Sequence, residues 1–76
     1  MDNEPYRKFR ELLVETRKTV GLTQAELSQR LNRPQSFVSK YERGERRLDV
    51  VEFGDVARAL EIDPVKWLAR FYRERT

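Results

Sequence analysis

Three times along this chain the same device marks a helix start, and the spacing leaves room only for short helices joined by tight turns. Thr23 with Glu26 forms a capping box, in which the Thr hydroxyl and the Glu carboxylate satisfy each other's orphan amides; Leu22 and Leu27 flank it as a hydrophobic staple. Asp49 with Glu52 repeats the arrangement with a carboxylate for the hydroxyl, and Leu48 and Phe53 supply the staple. Asp63 caps a third start, with Pro64 at the first helical position, where a missing amide costs nothing, and with Ile62 in reach of Trp67. These signals predict helices over roughly 23–31, 50–60 and 64–73.

Elsewhere apolar residues recur at helical spacing, and no stretch alternates with the period of a strand. Phe9, Leu12, Leu13, Thr16 and Val20 form one stripe, which Gly21 ends as a C′ residue, and Pro5 suits its first turn. In the segment 34–43, Val38 and Tyr41 point inward at a spacing of three and Gly44 supplies the stop. Its start lacks a capping side chain, because Pro34 stands there; Asn32, in the preceding turn, takes a left-handed conformation at lower cost than most residues. Gly54 inside the fourth helix costs up to about 1 kcal/mol relative to Ala, which a close helix contact there would explain. The expectation is a compact all-α fold of five short helices, a single domain over 1–76 with no internal repeat or linker.

Seventy-six residues, 38% apolar and 38% charged, can bury one core and must leave the rest wet. No apolar run approaches a membrane span, and the start Met-Asp-Asn-Glu-Pro lacks a signal peptide's basic and apolar regions, so the cytoplasm is expected and a membrane partner is not. The absence of Cys and His removes disulfides, thiolate metal sites and the commonest metal ligand and acid/base group. With carboxylates largely committed to caps, no catalytic constellation can be assembled. No enzyme activity, cofactor or metal is expected.

The net charge of +3 is unevenly placed: residues 1–15 balance at −1, residues 16–47 at +5 and residues 48–76 at −1. A basic segment of this kind is either a solvated face or the footprint of a polyanion. Two amphipathic stretches share it, Leu22–Leu31 and, following at once, Arg33–Gly44. The first carries almost no net charge, and the second is polar and basic on the face its apolar residues leave open. That is the pattern of a helix-turn-helix at about 23–43, whose second helix lies in the major groove of double-stranded DNA.

The run Gly21-Leu-Thr-Gln-Ala-Glu-Leu-Ser-Gln-Arg-Leu31, followed by Gln35-Ser-Phe-Val-Ser-Lys-Tyr-Glu-Arg-Gly44, resembles the Cro/repressor-type (XRE-like) helix-turn-helix domains of bacteria and phages. The resemblance spans roughly residues 6–69, with Asn32 where the family often carries Gly and Pro34 where it often carries Ser or Thr. It implies a five-helix, lambda-repressor-like DNA-binding domain with the third helix as reader. It further implies that Gln24 bonds phosphate while bracing that helix, and that Arg17 and Glu42 form a partly buried ion pair.

On the third helix, an inward Val38 and Tyr41 leave Gln35, Ser36, Ser39 and Lys40 for base edges. Phe37 either rests on a thymine methyl or shields the edge of the core. Gln24, at a helix start, and Arg33, Arg43, Arg46 and Arg47, at the two ends of the reader, are expected phosphate contacts. In the last helix Trp67, Phe71 and Tyr72 share a face; either all of it closes the core or the excess is a dimer interface. The leading expectation is a sequence-specific transcription regulator, a homodimer on a palindromic operator, with no seat for a small-molecule effector. The alternative is a protein-interaction module, antitoxin-like or an adaptor, whose specificity depends on a partner chain. Whether the purified chain alone shifts a specific duplex separates the two.

Overall fold

A computed structural model describes residues 3–75. Its elements are α1 (Glu4–Val20), α2 (Gln24–Leu31), α3 (Gln35–Glu42), α4 (Val50–Ala59) and α5 (Pro64–Glu74), with no strand among the described residues. The globule measures 34 × 26 × 21 Å.

Local chemistry sets the element boundaries. Thr23 accepts from the Glu26 amide at 3.0 Å while Glu26 accepts from the Thr23 amide at 2.9 Å. Asp49 and Glu52 make the same reciprocal pair, at 2.7 and 3.0 Å. Asp63 accepts from the Val65 and Lys66 amides. At the start of α1 the cap is Asn3, whose Oδ1 accepts from the Tyr6 amide at 2.9 Å, with Pro5 in the first turn. Gly21 closes α1 at φ +93°, in the left-handed region that glycine enters without penalty. Asn32 ends α2 at φ 56°, ψ 44°, so the Asn does the work of the usual glycine in the turn before α3. Glu61 takes φ 59° after α4, a left-handed residue the sequence did not announce. Pro34 precedes α3 with no side-chain cap, as its structure requires.

The core draws on every helix: Leu12 and Leu13 from α1, Leu27 from α2, Val38 and Tyr41 from α3, Phe53 and Val56 from α4, Trp67 and Phe71 from α5. Phe9 is the aromatic hub, with ring centroids of Tyr6, Phe53, Trp67 and Phe71 all 5.4–5.7 Å from its own. The Trp67 indole donates to Thr16 Oγ1 at 2.9 Å, so the one polar atom of that ring is satisfied where it is buried.

Two expectations about packing fail. Val20 is 42% exposed, and the buried residue of the last turn of α1 is Arg17 instead. A charged residue took the inward position because a carboxylate waits there, as described below. Around Gly54, a Cβ would meet no atom within 4 Å, so no close helix contact explains that glycine.

Candidate nucleic-acid interface

The α2–α3 pair presents one polar face. On α3, Phe37, Val38, Tyr41 and Glu42 are buried, while Gln35, Ser36 and Lys40 are exposed and Ser39 is half-buried. The Ser39 hydroxyl donates to the Ser36 carbonyl at 3.3 Å, leaving its lone pairs open to a donor. Three side chains with donors and acceptors therefore stand on one exposed face, with a fourth at its edge.

That face is held from behind by a buried polar network. Arg17 Nε donates to Glu42 Oε2 at 2.7 Å and Arg17 Nη2 to Glu42 Oε1 at 3.1 Å, a bidentate pair joining α1 to α3. Arg17 Nη1 also donates to the Leu22 carbonyl at 2.8 Å, and Gln24 Nε2 donates to Glu42 Oε1 at 2.8 Å. Gln24 thus ties the start of α2 to the end of α3, and its second amide hydrogen remains for an outside acceptor. Arg10 adds a bond to the Glu42 carbonyl at 2.7 Å. Next to this network the Tyr41 hydroxyl is buried without a partner, and burial pushes its pKa well up from 10, with the Glu42 charge adding to the effect.

The arginines flanking α3 differ sharply in their surroundings. Arg43 makes two hydrogen bonds to Glu45, at 2.7 and 3.2 Å, with both side chains more than half exposed. Such a pair is screened by water, contributes little to stability and can yield to a phosphate. Arg47 lies 4.5 Å from the centre of the Tyr6 ring, and the Tyr6 hydroxyl accepts from the Leu48 amide at 2.9 Å. Arg33 and Arg46 both stack on Phe37, at 4.4 and 4.8 Å from its centroid. Arg46 is bound bidentately by Glu52, with Nη1 2.9 Å from Oε1, and Arg33 Nη2 lies 4.0 Å from the same carboxylate. The Arg46 bonds, followed by the Asp49 amide, hold the Glu52 carboxyl down at about 2.

A helix-turn-helix family model matches residues 13–67. An XRE-family like protein from Pseudomonas syringae pv. tomato has the same fold with 47% sequence identity and a TM-score of 0.89, over 95% of this chain and 88% of that one. The chain belongs to the XRE family of helix-turn-helix proteins. The restriction-modification controller protein C.AhdI from Aeromonas hydrophila is 34% identical over 82% of this chain and 94% of its own, with a TM-score of 0.74. A variant of a second controller, C.Esp1396I, bound to its highest-affinity operator site, superposes with a TM-score of 0.85 at 23% identity, over 96% of each chain. That last likeness is one of fold. No curated protein matches the chain significantly.

In this XRE domain the structure shows the surroundings of several site residues for which the sequence left two readings open. Phe37 is only 7% exposed and roofed by two guanidiniums, which puts it at the edge of the core and off the exposed face of Gln35, Ser36 and Lys40. Arg46 is hydrogen-bonded bidentately to Glu52, with its side chain still 37% exposed. Trp67 and Phe71 close the core at 6% and 7% exposure, and of that trio Tyr72 alone is exposed. The sequence reading missed Tyr6 and Glu52. Nothing local marks Tyr6, whose partner is 42 residues away. Glu52 was visible as a capping residue, and a capping carboxylate always has a second oxygen to offer.

Among the described residues no group of His, Cys, Asp or Glu could hold a metal ion, and no helix is long and apolar enough to cross a membrane.

Proposed function

We propose that this XRE-family chain is a sequence-specific DNA-binding transcription regulator that sets α3 in the major groove and acts as a homodimer on a palindromic operator. The observation that carries the reading is the exposed row Gln35, Ser36 and Lys40, braced from behind by the Arg17–Glu42–Gln24 network. Gln pairs bidentately with adenine, Ser with any edge, and Lys with guanine O6/N7 or a phosphate. Phosphate contacts are assigned to the free amide hydrogen of Gln24 and to Arg43 and Arg47, whose positions flank the reader.

Dimerisation follows from the small number of base contacts one reader can make: half-sites about 34 Å apart supply the remaining specificity. Val65 and Tyr72 are 74% and 56% exposed, and with the half-buried Leu68 they are spaced for one face of α5. An apolar face of that kind suits a second copy of the chain.

The test is selection of duplexes from a random library by the purified chain. Recovery of an inverted repeat with half-sites one helical turn apart is expected. Enrichment of no sequence, or of a site bound by one chain alone, would overturn the reading in its function or in its symmetry.

A further inference from the structure

From the cluster around Phe37 we infer that Glu52 is an internal counter-anion, one that engages Arg33 and Arg46 and thereby lowers the chain's sequence-independent affinity for DNA. The inference rests on the DNA-binding reading above and adds a residue that sets its non-specific level.

Residues 33 and 46 bracket α3 in sequence, and the fold brings both guanidiniums onto one ring and one carboxylate. A guanidinium offers the same planar fork to a carboxylate and to a phosphate, so Glu52 occupies donors of Arg46 that a DNA backbone would use and sets a negative charge 4.0 Å from Arg33. The two arginines remain 42% and 37% exposed, within reach of an outside anion, while the Glu52 side chain is only 13% exposed. The carboxylate cannot swing away as Glu45 can from Arg43. The Asp49 amide fixes one of its oxygens at 3.0 Å, and the ring of Phe37 backs the arginine that holds the other.

The helix does not need this negative charge. At the third position of a capping box Gln accepts the N-cap amide as Glu does, so an uncharged residue would start α4 equally well. What Glu would add over Gln here is the neutralisation of Arg46 and part of Arg33. Without it, these two would join Arg43 and Arg47 as sequence-blind phosphate contacts, each raising affinity for every duplex alike. A regulator must leave random sites to find its own, so a fixed counter-charge at this point favours discrimination.

Glu52→Gln is the direct test, with random duplex, a selected duplex and a heparin column as probes over a range of salt. Random-duplex affinity is expected to rise about three- to tenfold at 0.1 M salt, with the log–log salt slope steeper by about one ion. Later elution from heparin is expected as well, with an unchanged circular dichroism spectrum. The doubly neutral Arg46→Met/Glu52→Gln should keep the wild-type slope, because the pair it replaces carries no net charge. No gain in Glu52→Gln overturns the inference, as does a double variant whose slope is flatter by a full ion, which would mean Arg46 already contacts phosphate. These failures occur with a wild type that binds DNA; a wild type that binds no duplex at all refutes the regulator reading itself, and the inference with it.

Discussion

The guanidinium of Arg17 and the carboxylate of Glu42, 25 residues apart, form a buried bidentate pair that joins α1 to the end of α3. Both its oxygens are engaged, by two arginine donors and by Gln24. Removing either partner strands a charge in a site at most 10% exposed, which should cost about 3–5 kcal/mol. Arg17→Met and Glu42→Leu are each expected to destabilise strongly, and the double variant to recover much of the loss. Chemical denaturation of the four proteins in a double-mutant cycle checks this; small additive effects would contradict it.

Gly54→Ala should stabilise the chain by up to about 1 kcal/mol. The added methyl meets open space, and the helix loses a residue with excess freedom when unfolded. A rise in melting temperature with unchanged DNA binding is the expected result.

The residues proposed to read bases and those proposed to bind phosphate should separate by what they discriminate. Gln35→Ala or Lys40→Ala should weaken a selected site by about 1–3 kcal/mol relative to random duplex. Arg47→Ala should weaken both alike and flatten the salt slope by about one ion. Titrations on both duplexes at several salt concentrations distinguish the two classes, and equal loss everywhere would remove α3 from the groove.

The acid limb of stability should carry a contribution from Glu52. Its carboxyl binds a proton more weakly folded than unfolded, chiefly because of the Arg46 hydrogen bonds. The stability it provides is therefore complete above the ordinary glutamate value of 4.5, shrinks as pH falls through that range, and is gone below about 2. Melting curves of wild type and Glu52→Gln between pH 2 and about 7 should diverge at the upper end and converge at the lower.

Tyr72→Glu is expected to give a folded monomer with weakened operator binding, as read by sedimentation and by gel shift. Phe71→Glu should instead unfold the chain, since that ring lies in the core 5.5 Å from Phe9. A wild type that sediments as a monomer both free and on DNA would remove the dimer.

The sequence by itself determined the five helices, most of their turns and the inward Val38 and Tyr41 of α3, because caps, left-handed Gly and Asn residues and 3.6-residue periodicity act within a few residues of where they are read. Thr23 with Glu26, Asp49 with Glu52, Asp63 and Gly21 each behave in the fold as their immediate neighbours dictate. The family motif extended that reach to one distant pair, Arg17 with Glu42. Tertiary structure alone decided which side chains are left over. Whether Phe37 faces a base or the core, whether Trp67 and Phe71 meet a second chain or Phe9, and whether Arg46 faces a phosphate or Glu52 depend on where a neighbouring helix lies. Burial and charge pairing are properties of the space between elements. A sequence states how many arginines flank α3, and only the packed helices determine which of them are paired with a carboxylate or stacked on a ring.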